Sequence, residues 1–226
     1  MLIIAIDTSG RHGSVALCRG DADDFEVLGL MSLEGGTYSA RLMPSIADLL
    51  LRTHSAKSQL DGFVVVVGPG SFTGLRVGLS TVKALCDVLR KPLATVSMLE
   101  ALAVTYGHDD EGLTAVLDAG RGELYVGEYR VDQQGAHLVQ ESLPKLAGFL
   151  AQRPLPGQRA VTPFPKVAEA LTTAGWNVAS VNPLQADTIG RIGLRKLVSG
   201  DIADPTTLDA NYIRRSDAEL YSLPKL

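Results

Sequence analysis

Apolar runs alternate with polar, turn-forming stretches along the first half of the chain, and the spacing within each run predicts the element it forms. Residues 2–7 (Leu-Ile-Ile-Ala-Ile-Asp), 13–19 and 25–33 are rich in branched aliphatic side chains, and the last two are separated by the turn-forming Gly20-Asp21-Ala22-Asp23-Asp24. They predict an antiparallel meander. A helical period follows over 39–53, an unbroken apolar strand over 63–67, a helix over 73–90, a strand over 93–96 and a short helix over 98–106. The order βββαβαβα predicts an α/β lobe, a mixed sheet with helices on its faces.

The polar stretch 107–112 interrupts this pattern, and strand-like runs resume at 113–117, 123–130 and 136–140. Helices are expected near 143–152, 163–174 and 187–199, and Asp204–Leu226 reads as an irregular terminal arm. Two lobes are therefore expected, 1–106 and 113–226. The element order repeats incompletely between them, and no repeat is visible at the level of residues.

Two helices carry more apolar surface than one sheet needs. On the helix after the glycine loop, Phe72, Leu75, Leu79, Val82, Cys86 and Leu89 form one row at spacings of three and four, and Val77, Thr81, Ala84 and Val88 form a second. On 39–53 the rows are Leu42, Ile46 and Leu49 beside Met43, Ala47 and Leu50, with Pro44 expected in the first turn or at a kink. A second apolar row invites another helix, from the same chain or from a partner.

Composition narrows the setting. The 226 residues are 46% hydrophobic and 20% charged, with a net charge of −4 and no basic run that would grip a phosphate backbone. Any nucleic acid is then expected to be held by another protein. No apolar run approaches the ~20 residues that span a bilayer, and the N-terminus reads as a strand rather than a secretory signal, so a cytoplasmic location is expected. The two cysteines, Cys18 and Cys86, lie in apolar stretches that suit packed, reduced thiols.

Candidate chemistry gathers at strand ends. The segment Gly68-Pro69-Gly70-Ser71-Phe72-Thr73-Gly74 joins a buried strand to a helix, where glycines and free helix N–H groups can receive an anion, or can simply let two backbones pack closely. It is not a Walker loop, because Thr73 stands where the second glycine belongs and no Lys-Ser or Lys-Thr pair follows. A dinucleotide fingerprint lacks its acid, since the next strand ends in Ser97, and Ser71 is not framed as a nucleophile elbow. Asp7-Thr8-Ser9-Gly10 and Asp118-Ala119-Gly120-Arg121-Gly122 are acid-bearing turns, one per lobe, of the type that holds nucleotide phosphates and metal in phosphotransferases of the actin, hexokinase and Hsp70 class. Asp also caps ordinary turns in this way. Asp7, Ser9, Gly68, Gly70, Ser71, Thr73, Gly74, Asp118 and Arg121 are the candidates for a phosphate site, functional or vestigial.

Together these segments resemble the TsaB (YeaZ) family. The matching residues are Ile4-Ala5-Ile6-Asp7-Thr8-Ser9 with Ser14-Val15-Ala16-Leu17, the block Gly68 to Gly78, and Asp118-Ala119 with Gly122-Glu123-Leu124-Tyr125. The resemblance implies an actin-like ATPase (ASKHA, ribonuclease H-like) fold and a part in placing threonylcarbamoyl on adenosine 37 of tRNAs reading ANN codons. It implies a non-catalytic paralogue of the transferase TsaD, working with TsaD and the ATPase TsaE, with tRNA met only through the complex.

The residues agree with that implication. Where TsaD-like sequences carry a His-x-x-x-His metal pair, this chain has Met98 and Leu102, so no metal or cofactor of its own is expected, and ATP and metal are expected on the partner subunits. The four histidines are scattered. An actin-like small-molecule kinase and a peptidase are the alternatives. The partner contact is expected on the two helices, through Leu42, Met43, Ile46, Leu49, Leu50, Leu75, Leu79, Val82 and Cys86, against the equivalent pair on TsaD or on a second copy of the chain as a homodimer. Tyr38 stands where many relatives have His.

Overall fold

A computed structural model of the chain describes residues 1–211 and 213, apart from positions 22, 108–110, 133, 134, 153, 155 and 156. Its elements are β1 (Leu2–Asp7), β2 (His12–Gly20), β3 (Phe25–Glu34), α1 (Tyr38–Arg52), β4 (Gly62–Gly68), α2 (Phe72–Leu89), β5 (Leu93–Ser97) and α3 (Met98–Tyr106). These are followed by β6 (Glu111–Gly120), β7 (Glu123–Asp132), β8 (Gly135–Ser142), α4 (Leu146–Leu150), β9 (Arg159–Thr162), α5 (Pro165–Thr173), β10 (Asn177–Ser180) and α6 (Ala186–Ser199). Among the described residues no helix is long and apolar enough to cross a membrane.

The strands form two five-stranded sheets, ordered β3-β2-β1-β4-β5 and β8-β7-β6-β9-β10. In each, three antiparallel strands lead and two parallel strands follow, so the duplication of topology is complete where the sequence shows it only in part. The missing strands are β9 and β10, each of four residues. They are too short to display a period of their own, and their pairing with β6 and with each other sustains them.

Through Asn211 the described chain divides into Met1–Ser97 with Gln185–Asn211, and Met98–Leu184. This corrects the expected boundaries of 1–106 and 113–226. Helix α3 packs on β6 and β7, within the second unit, and α6 returns to the first sheet, where it lies along β1, β2, β4 and β5. Three features hold α6 there. The Ala186 N–H at its start donates to Ser14 Oγ at 2.8 Å, Lys196 Nζ donates to the Thr95 carbonyl at 3.2 Å, and Ile189, Ile192, Leu194 and Leu197 are buried. Burial of each such side chain is worth about 1.5–3 kcal/mol.

Strand alternation assigns the faces of the first sheet. Val64 of β4 meets Gly193 of α6, and its neighbour Val65 points the other way, to Gly78 of α2. Helices α1 and α2 thus cover one face and α6 the other. Strand β1 is buried along all six residues because β2 and β4 flank it on both sides and helices cover it above and below. Pro44 lies in the second turn of α1 rather than the first, and the helix continues through it. The second unit has its own core, in which Phe149 stacks on Trp176 at 5.1 Å above Val116, Val126 and Leu171.

The close approach of α6 to β4 is testable. A Cβ at Gly193 would stand 2.5 Å from Val64 Cγ2 and 2.9 Å from Val64 Cβ. Gly193→Ala is therefore expected to destabilise the protein by about 1–3 kcal/mol. Calorimetry that finds the variant melting with the parent protein would contradict this packing.

Candidate functional site

The turn that ends β1 is closed by hydrogen bonds to its own acid. Asp7 is 3% exposed, and its Oδ1 accepts hydrogen bonds from the Ser9 N–H at 2.8 Å and the Ser9 hydroxyl at 2.7 Å. Burial pushes the Asp7 carboxyl above the ordinary carboxylate range, and the two Ser9 bonds offset only part of that shift.

The glycine loop closes onto this turn. The Ser71 N–H donates to the Ser9 carbonyl at 2.6 Å, and the Thr8 hydroxyl donates to the Gly74 carbonyl at 2.8 Å. A Cβ at Gly70 would overlap Ser9 O, one at Gly74 would overlap Thr8 O, and one at Gly78 would overlap the Thr8 hydroxyl. These glycines are explained by the contact between the two backbones. Ser71 is the N-cap of α2, its hydroxyl accepting from the Gly74 N–H at 3.3 Å. The Gly74 N–H in the first turn of the helix thus finds its acceptor inside the chain. Gly68 has φ +128°, precedes a cis bond to Pro69 and faces Asn211, whose N–H donates to the Val67 carbonyl at 2.8 Å.

Asp7, Ser9, Gly68, Gly70, Ser71 and Gly74 therefore come together, and Thr73 is exposed in the first turn of α2. Asp118 and Arg121 belong to the second unit. There Asp118 Oδ1 accepts from the Gly120 N–H at 2.7 Å, repeating the Asp7–Ser9 bond at the topologically equivalent strand end, but on an exposed side chain. Arg121 has φ +57° at the tip of the turn. Met98 and Leu102 are buried apolar residues of α3.

The expected partner residues need correction. Leu42, Ile46 and Leu49 of α1 and Leu75, Leu79, Val82 and Cys86 of α2 are each at most 5% exposed, because they form the faces that cover the sheet. Met43, at 48%, is the exposed member of that set, and Leu50 is half-buried. The less buried apolar row of each helix is the other one, Met43, Ala47 and Leu50 on α1 and Val77, Thr81, Ala84 and Val88 on α2; Met43, Ala47, Ala84 and Val88 are exposed, Val88 at 76%, and Leu50, Val77 and Thr81 are half-buried. Between the N-terminal halves of the two helices runs an open groove of about 470 Å³ lined by Ser39, Phe72, Thr73, Arg76, Val77, Ser80 and Thr81. The Arg76 guanidinium lies 3.8 Å over the Phe72 ring. Sequence periodicity shows both rows but not which one the sheet takes.

Known proteins match this architecture. The pattern of the family described as "TsaD: tRNA N6-adenosine threonylcarbamoyltransferase" matches residues 35–203. The tRNA threonylcarbamoyladenosine biosynthesis protein TsaB of Bacillus subtilis is 32% identical over 97% of this chain and 96% of its own length. Among solved structures, YeaZ from Pseudomonas aeruginosa superposes with a TM-score of 0.71 at 23% identity, over 92% of this chain and 98% of that one. The activator of the 2-hydroxyisocaproyl-CoA dehydratase from Clostridium difficile, solved with bound ADPNP, shares the fold at a TM-score of 0.50 and 10% identity, over 90% of this chain and 99% of that one. Duplicated sheet order and acid-bearing strand ends thus place the chain among the actin-like ATPase folds. Within that class, it belongs to the TsaB (YeaZ) family.

The environment of Asp7 makes a prediction with a definite sign. A carboxyl whose folded pKa is raised takes up a proton on folding, so its ionised form costs stability at neutral pH. The cost vanishes as the pH falls below the unfolded value of about 3.9. Asp7→Asn keeps an oxygen for both Ser9 bonds and removes the buried charge. It is expected to raise Tm at pH 7 by about 2–4 °C, the equivalent of about 1 kcal/mol in a chain of this size, with the gain shrinking toward pH 4. A loss of stability at pH 7 would show that the turn needs the anion.

Proposed function

We propose that this chain is a non-catalytic partner subunit in the synthesis of tRNA threonylcarbamoyladenosine, docking onto a TsaD-like transferase through the exposed rows of α1 and α2. The observation that carries the reading is the doubled amphipathicity of these helices. One row of each is consumed by the sheet, and a second, part exposed (Met43, Ala47, Ala84, Val88) and part half-buried (Leu50, Val77, Thr81), runs along the same two neighbouring helices at spacings of three and four. That pattern suits a four-helix contact, in which knobs of one pair enter holes of the other. Membership of the TsaB family, whose Bacillus subtilis relative is named for this biosynthesis, supplies the pathway.

The local geometry supports a supporting rather than a catalytic role. The Ser71 N–H, the Gly74 N–H and the space beside Gly70 and Gly74 are used by the chain's own β1–β2 turn and N-cap. Met98 and Leu102 offer no ligand for a hard or borderline metal at the place of the TsaD histidine pair. In this reading ATP and metal belong to the TsaD-like subunit and the TsaE-like ATPase, tRNA is met only through the assembled complex in the cytoplasm, and a second copy occupies the helix face when TsaD is absent. The kinase alternative requires ATP turnover by the isolated chain.

Two substitutions separate docking surface from core. Ala84→Asp places a charge in the exposed row, and it is expected to leave the fold intact while raising the Kd for the TsaD-like subunit at least ~30-fold, about 2 kcal/mol, as for an interface centre. Leu79→Asp puts the charge in the core and is expected to unfold the first unit. Calorimetric titration with purified TsaD-like protein, together with reconstituted tRNA modification, reads both. Full binding by a folded Ala84→Asp chain, or efficient modification without the chain, refutes the proposal.

A further inference from the structure

Tyr38 touches three elements at once. It is the first residue of α1 and is 4% exposed, and its hydroxyl donates to the Gly10 carbonyl at 2.8 Å in the β1–β2 turn. A Cβ at Gly13 would stand 2.8 Å from its Oη and 2.9 Å from Cε1, and one at Gly74 would stand 3.3 Å from Cε2. The ring therefore fills the space between the start of β2 and the first turn of α2. Burial, and then the neighbouring Asp7 charge, push its phenol up to about 12, so the hydroxyl keeps its proton and remains a donor at neutral pH.

The residues beside Gly10 hold α2. Ser9 accepts from the Ser71 N–H at 2.6 Å and Thr8 donates to the Gly74 carbonyl at 2.8 Å, so both helices are anchored at their N-termini on one short turn. From within α1 the side chain of Tyr38 makes this tie, and just before the helix the Gly35 N–H donates to the Arg11 carbonyl of the same turn at 2.7 Å. We infer that Tyr38 is a positioning residue for partner docking, its hydroxyl setting the spacing between the Met43–Ala47 row of α1 and the Val77–Ala84 row of α2. Its burial excludes direct contact with a partner. A four-helix contact must fit both rows together, so a small pivot of α1 misplaces one row whenever the other is seated. The inference rests on the docking role proposed above for these rows.

Tyr38→Phe tests it, since the ring packing stays and only the bond to Gly10 goes. Nitroxide labels at Ala47→Cys and Ala84→Cys in the full-length chain, diluted with excess unlabelled chain so that any dimer carries one labelled copy, report the spacing, because Cys18 and Cys86 are buried with thiols pushed up to about 12 and about 11 and do not label in the folded protein. Tyr38→Phe is expected to shift or broaden the label distance by about 2 Å or more, to lower Tm by no more than about 2–4 °C, and, without labels, to raise the Kd for the TsaD-like subunit at least fivefold. Val116→Ala, in the core of the second unit, controls for general loosening and is expected to leave distance and Kd unchanged.

An unchanged label distance in Tyr38→Phe overturns the inference and leaves the docking proposal standing. So does a shifted distance with unchanged Kd when Ala84→Asp still abolishes binding. If Ala84→Asp itself leaves the Kd unchanged, the docking proposal fails, and the label distance alone then decides whether Tyr38 sets the spacing.

Discussion

The carbonyl oxygen of Ser9 stands where the first turn of α2 needs an acceptor, and the 2.6 Å bond from the Ser71 N–H draws a helix end and a strand end closer than any side chain between them would allow. Gly70 and Gly74 follow from that bond, because a Cβ at either would occupy the space of a backbone oxygen of Ser9 or Thr8. The placement of α2 across β4 follows in turn, as does the exposure of its outer row. Asp7 stiffens the arrangement by engaging both the N–H and the hydroxyl of Ser9, at the expense of a carboxylate sealed from water.

The same turn thus serves two ends of the structure. It ends β1, and the loop that follows β4 is seated against it. The equivalent turn at Asp118 keeps its internal hydrogen bond and remains exposed. What distinguishes the two units is the packing of a glycine-bearing helix against the first turn. The chemistry of the turns themselves is alike.

Much of this was legible in residue patterns. The strands of the meander, α1, α2, α3 and the glycine loop announce themselves through long periods and turn residues, and each lies within one or two residues of its expected span. Three things were not legible, each for a physical reason. The strands β9 and β10 have four residues apiece and owe their existence to neighbours supplied by other parts of the chain. The attachment of α6 to the first sheet depends on Ser14 Oγ and the Ala186 N–H, partners 172 residues apart, which no local window can pair. Finally, the choice between two apolar rows on α1 and α2 is made by the sheet. The row with Leu42, Ile46, Leu79 and Val82 fills the core, and the row with Met43, Ala47, Ala84 and Val88 stays outside, although both rows are apolar.

The return of α6 to the first sheet has a consequence for how the protein is made. The ribosome releases β1 through β5 first, and one face of that sheet, including Ile3, Ala5, Val64 and Ala94, has no cover until residues 186–199 have emerged, after residues 98–184 of the second unit. During vectorial synthesis residues 98–184, the long continuous part of the second unit, can close while the first still waits with greasy strands open to solvent. The newborn chain is in this respect assembled from the middle outward, and its order of completion runs opposite to its order of translation.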